Sequence, residues 1–216
     1  MKAERLAVLL LALALLGFVA YQIYTVISNI HYGDVELPPN DYGGGAGLGV
    51  ILEYPDGRTK TISPQSLRYM FFPLSVYMSG EEIAKVTWIT YVYLDWAGDL
   101  TCLELSGPME VKANTGALVR KETMWRKTGV NWNMPAKKTW VEMWRFTVDA
   151  DEIEANLGGQ SGTYTLTCTS NVTAKAMFST GTTSTKIAIA QLSITVEIQA
   201  AQLCVLKVDL QANAYK

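Results

Sequence analysis

The sequence predicts a mainly β protein, with an N-terminal transmembrane-type α-helix followed by an antiparallel β-sandwich. Three observations carry this. Lys2 and Arg5 precede an apolar run from Leu6 to Ile30, and no further Lys or Arg occurs before Arg58. Beyond that run, apolar residues recur at every second position in one segment after another. Turn signals such as Pro55-Asp56-Gly57 and Gly98-Asp99 separate the segments. The chain divides into a hydrophobic membrane or assembly helix over 1–30, a Pro/Gly-rich linker over 31–49, and a β-domain over 50–216.

A spanning helix needs about 20 mainly apolar residues, because each adds ~1.5 Å and the helix satisfies its own backbone polar groups. The run from Leu6 to Ile30 meets that length, with Leu6, Leu10, Leu13, Phe18 and Ile27 on its apolar surface. Tyr21 and Tyr24 stand near its outer end, where phenol rings favour the bilayer interface. Positive charge only on the N-terminal side leaves Met1 in the cytoplasm and the β-domain extracytoplasmic, at the cell surface. A cleaved signal peptide is the competing reading. The small-residue site it needs is poorly met by Phe18-Val19-Ala20, and the apolar character runs on through Ile23, Val26 and Ile30. A buried core helix is the third reading.

The strands follow in order. Val50 to Tyr54 and Arg58 to Ile62 flank a turn and read as a hairpin. Ser63-Pro64 suits the start of one short helix containing Leu67 to Phe72, which Pro73 stops. Val86, Trp88, Val92, Leu94 and Trp96 share one strand face, and Thr101 to Leu105 continues after a turn. Residues 107–138 look irregular, with turns near Gly116, Gly129 and Pro135. Trp140, Trp144, Phe146 and Val148 share a parity, as do Tyr164, Leu166, Cys168, Val172, Ala174, Ala176 and Phe178. Threonines fill the opposite face of the second of these strands, the mark of a half-buried antiparallel strand. Ile187 and Ile189 are out of phase with Leu192, Ile194, Val196 and Ile198, which predicts a bulge near Ala190-Gln191. Cys204, Leu206, Val208 and Leu210 form the last inward row.

The net charge of −2 and pI near 5.5 argue against nucleic acid as a partner. With a single histidine, His31, at the end of the apolar run, the β-domain has no Ser-His-Asp triad and no histidine metal cluster. No spacing singles out a catalytic carboxylate pair, so the expectation is a non-enzyme without a cofactor. Asp149, Asp151 and Glu154, with Glu152, form the densest acidic cluster and a weak candidate for calcium. The bland reading is a helical turn with acids at its N-terminus. Cys168 and Cys204 on inward rows are the disulfide candidates, and Cys102 alternates with Glu104 and Ser106 toward the outside. Asn171-Val172-Thr173 is a glycosylation sequon on an outward parity. Trp125, Arg126 and Trp132, with the surrounding cations, form a candidate binding surface for a glycan or an envelope protein.

The segment Gly162-Thr163-Tyr164-Thr165-Leu166-Thr167-Cys168 resembles a late strand of immunoglobulin-like or fibronectin-like sandwiches. It implies an immunoglobulin-like domain, with a jelly-roll-like sandwich as the other form. The whole plan, a short charged leader, a long apolar helix and a C-terminal β-domain, resembles type IV pilins and archaeal pilin-like surface proteins. Lys2-Ala3 before Glu4 is similar to the basic-small pair at an archaeal leader-peptidase site. That resemblance implies a filament subunit with Leu6 to Ile30 in the filament core. The reading from the residues is a membrane-anchored structural protein, whose partners are membrane lipid and copies of itself. A glycan- or protein-binding ectodomain is the further alternative.

Overall fold

The structure, a computed structural model, describes residues 41–63, 66–67, 70–71, 74–127, 139–199, 202–211 and 213–214. The apolar run Leu6–Ile30, His31 and Trp132 lie outside these. Among the described residues no helix is long and apolar enough to cross a membrane.

Two antiparallel sheets pack as a sandwich. The five-stranded sheet runs β13 (Asn213–Ala214), β1 (Asp41–Glu53), β6 (Lys85–Ala97) and β9 (Thr139–Asp149), with β2 (Thr59–Ile62) also on β1. The six-stranded sheet runs β5 (Leu74–Tyr77), β12 (Gln202–Gln211), β11 (Thr183–Gln199), β10 (Gly162–Phe178), β7 (Leu100–Ala113) and β8 (Leu118–Lys127). A two-stranded ladder joins β3 (Ser66–Leu67) to β4 (Met70–Phe71), and one short helix, α1 (Ala150–Asn156), follows β9.

The period-two rows form the core. Val86, Trp88, Val92, Leu94 and Trp96 of β6 face Leu166, Cys168, Val172, Ala174 and Ala176 of β10 within one cluster of buried side chains. Thr90 and Ser170 are the buried polar residues of this interior among those described. Thr90 Oγ1 lies 3.0 Å from Ser170 Oγ and 3.2 Å from Met109 Sδ, so a hydrogen bond joins the two sheets through the core. Thr90 Oγ1 is the donor in both contacts, so its single proton is shared between the Ser170 hydroxyl oxygen and the Met109 sulfur.

Several expectations are corrected. Gly43 to Gly49, read as the end of a linker, form the first half of β1 and pair with β6 throughout. A glycine-rich strand has few side chains to display a period, and here the glycines serve close approach. A Cβ on Gly49 would stand 2.9 Å from Tyr91 Cε2 and 3.0 Å from the Ile62 carbonyl oxygen. The helix expected after Ser63 is replaced by the β3–β4 ladder. Between two prolines there is too little chain to repay helix nucleation, which needs about 12–15 residues in isolation. From Gly107 to Lys127 the stretch read as irregular is a hairpin of β7 and β8, turning at Gly116 with φ of 88° and with a register shift between Val111 and Lys112; its remainder lies outside the described residues.

The predicted bulge near Ala190 does not form, and β10 pairs with β11 without interruption from Gly162↔Ile198 to Met177↔Thr183. Ala188 and Ala190 continue the inward row, while Ile187 and Ile189 face out. The bulge lies in β12 instead: Lys207 pairs with Thr195 and Val205 with Val196, leaving Leu206 as the extra residue. That switch turns Leu203 and Val205 inward and carries Cys204 to the outer row, opposite Glu197.

Candidate functional site

The outer face of the six-stranded sheet holds the most exposed apolar side chains of its long central strands. Register places Trp125 of β8 opposite Ser106 of β7, Ser106 opposite Thr173 of β10, and Thr173 opposite Ile187 of β11. In the adjoining row Thr123 faces Pro108, and Asn171 faces Ile189. Trp125 is 62% exposed, Ile187 47% and Ile189 43%. At ~4.8 Å between strands, Trp125 and Ile187 stand about 14 Å apart across a floor of small polar residues. Charge borders this floor. Lys127 pairs with Glu104 at 3.8 Å on one side, and Lys121 and Lys112 lie 3.7 and 2.6 Å from Glu110 on the other. The Lys112 ammonium, with Lys121 behind it, holds the Glu110 carboxyl below its ordinary range.

The strand geometry that exposes Trp125 also separates it from Arg126. Arg126 pairs opposite Leu105, whose side chain is in the core, so the two neighbours alternate to opposite sides of β8. The expected grouping of Trp125 with Arg126 on one surface is therefore not formed. Trp144 and Phe146 pack inward against the core as expected, and Phe146 lies 5.6 Å from the Trp88 ring. Ile187 and Ile189 were missed as surface residues, because isoleucine in a strand reads as core. The signal available was the alanine pair at 188 and 190, small enough for the crowded side of the sheet.

Asn171 does lie on the outward row but is only partly exposed, and its Oδ1 is buried without a hydrogen-bond partner. Its backbone is crowded by Gly107, where a Cβ would approach the Asn171 carbonyl oxygen to 1.7 Å. A central strand paired on both sides presents this sequon poorly to a modifying enzyme.

The cysteines form no disulfide. Cys168 is fully buried among aliphatic neighbours, and burial pushes its thiol far up. Cys204, on the outer row after the β12 bulge, is pushed up by partial burial and by the carboxylates of Glu82 and Glu197. The proposed pair fails because the bulge turns one member out of the core. Cys102 pairs with Met177 on the outward row, as its alternation indicates, yet it is buried at 2% exposure.

Asp149, Asp151, Glu152 and Glu154 line a cleft of about 490 Å³ with Glu82, Ile83 and Leu203. Among the described residues no group of side chains is arranged to hold a metal ion, the candidate calcium ligands Asp149, Asp151 and Glu154 included. The acids instead occupy a helical turn, with Asp151 and Glu152 in the first turn of α1. The helix closes in a Schellman motif: Gly159 N–H donates to the Glu154 carbonyl and Gly158 N–H to that of Ala155, with φ of 80° at Gly158. Burial, then Asp151 and Glu82, push the Glu154 carboxyl above its ordinary value.

No known protein family, curated protein or solved structure matches the chain.

Proposed function

We propose that the chain is a non-enzymatic structural protein of a cell envelope, surface layer or virion membrane. In this reading Leu6 to Ile30 anchor it, and the β-domain associates laterally with copies of itself outside the membrane. The observation that carries the reading is the outer face bearing Trp125, Ile187 and Ile189. Large apolar side chains held on a rigid sheet, around small polar residues and within a charged border, have the composition of a protein interface.

The finer fold is read as jelly-roll-like rather than immunoglobulin-like. Its support is a nested series of antiparallel pairs, β1 with β13, β5 with β12, β6 with β9, and β7 with β8. Successive pairs alternate between the two sheets, as in one long hairpin rolled into a sandwich, with the β10–β11 hairpin inserted beside β7. Jelly rolls recur in capsid and lectin domains, so the architecture suits assembly and glycan binding alike.

The test is chemical cross-linking of the full chain in its native membrane. The double variant Ile187→Asp/Ile189→Asp is expected to lose cross-linked neighbours while keeping its circular dichroism spectrum. Monodisperse monomers, with no neighbours captured for the unmodified chain, would overturn the reading. The exposed indole of Trp125 favours one second reading, a glycan-binding ectodomain. On that reading Trp125→Ala abolishes glycan-array binding, and an unchanged array profile rejects it.

A further inference from the structure

The two sheets do not close where their edges meet at β8 and β9, and a cavity of about 340 Å³ opens there. This size falls at the small end of the range for ligand pockets, about 300–1,000 Å³. Register decides which of the bordering side chains turn into it. Met109 of β7 is buried and pairs with Glu122 of β8, so Glu122 and Met124 share the inner side of their sheet. Trp144 and Phe146 turn inward from β9 against the core. Thr123 and Arg145, the residues between, alternate to the outer sides. The inner lining among the described residues is therefore two thioethers, two aromatic rings and one carboxylate. The apolar wall is held from behind, by Thr90 Oγ1 at 3.2 Å from Met109 Sδ and by the Trp88 ring against Phe146.

The charge at this seam is negative. Arg120 Nε and Nη2 lie 2.9 and 2.7 Å from Glu122 Oε1. Both contacts fall on one carboxylate oxygen, so the other keeps its acceptor capacity. The same guanidinium reaches Glu152 at 3.5 Å, and one positive charge is divided between two carboxylates. Arg126, two positions beyond Met124, is not among the lining residues and has an interaction of its own. A cation placed at the seam meets the Glu122 carboxylate and the faces of two aromatic rings. Thioethers beside aromatic rings favour a flat π-surface for the rest of the guest.

We propose that this seam binds a small arylalkyl ammonium ion, with its ring among Met109, Met124, Trp144 and Phe146 and its ammonium on Glu122. The site is separate from the outer-face surface and does not depend on the assembly reading.

The experiment is calorimetric titration of the full chain in zwitterionic lipid nanodiscs with 2-naphthylmethylammonium, with empty nanodiscs subtracted. One saturable site is expected, with the neutral analogue 2-naphthalenemethanol weaker and 2-naphthoate weaker still. Glu122→Gln weakens the ammonium about tenfold or more but leaves the neutral analogue unchanged. Trp144→Leu weakens both, with circular dichroism verifying that each variant is folded. No saturable binding at millimolar ammonium overturns the proposal. So does an unchanged affinity in Glu122→Gln, which removes only a half-exposed ion pair and leaves the core intact. Naphthoate binding as tightly as the ammonium would overturn the charge assignment, and cyclohexylmethylammonium binding more tightly would overturn the aromatic one.

Discussion

Replacing Thr90 with valine keeps the shape of the side chain and deletes the hydroxyl that joins the two sheets. Thr90 and Ser170 are both fully buried, and their oxygens are 3.0 Å apart. Thr90→Val leaves the Ser170 hydroxyl buried without this partner, and Ser170→Ala does the same to Thr90. A buried polar group deprived of its partner costs about 1–3 kcal/mol, whereas removing both partners together is nearly neutral. Each single variant is therefore expected to lose about 1–3 kcal/mol, and the double variant to recover most of it, with a coupling energy of roughly 1–2 kcal/mol. At about 2–4 °C per kcal/mol for a domain of this size, the single variants melt several degrees lower. Urea denaturation followed by tryptophan fluorescence reads the same quantity, provided the slope is unchanged. Strictly additive losses in the double variant, or no loss on Thr90→Val, would refute the inter-sheet bond.

Gly107→Ala should be among the most damaging single-atom changes, by about 3 kcal/mol or more, because the new Cβ meets the Asn171 carbonyl oxygen and φ is +148°. A lost or sharply lowered unfolding midpoint checks it. Ile189→Thr should change stability by no more than about 0.5 kcal/mol, while Ala190→Ile should cost about 1–3 kcal/mol by overpacking; thermal melts of the pair test the phase of β11. Glu154→Gln should stabilise the protein at neutral pH. The folded state holds the Glu154 proton more tightly than the unfolded chain, so ionisation subtracts stability above the raised pKa. Urea midpoints should show that gain vanishing as pH falls below the ordinary glutamate range of about 4. In native protein an aromatic disulfide reagent should modify Cys204 slowly, and Cys168 and Cys102 only after unfolding.

The β6 and β10 rows were legible because both strands are long and their alternation is unbroken, so period two alone assigns their faces. β1 was only half legible, since the information in its first half is the absence of side chains. β11 was misread because the bulkier isoleucines lie outside and the alanines inside. The sizes at 187–190 invert the usual correlation between bulk and burial. The disulfide expectation depended on β12 keeping its phase, and one extra residue at Leu206 reversed it.

The candidate surface was legible only at Trp125. Its neighbours Ile187 and Ile189 come from a strand about 60 residues later, joined to it through β7 and β10. Trp132, the other half of the expected surface, lies outside the described residues.

By itself the sequence determined the class of structure. Alternation at period two commits a segment to a half-buried strand, and the turn residues between segments commit successive strands to antiparallel neighbours. It also determined which strand faces are apolar wherever that alternation is clean. Tertiary structure alone decided the register, the bulge that turned Cys204 outward, the small-residue side of β11, and the unclosed seam between β8 and β9. These depend on contacts between residues far apart in the chain. A strand records which of its faces is apolar, but neither which strand it will meet nor how much room that neighbour leaves.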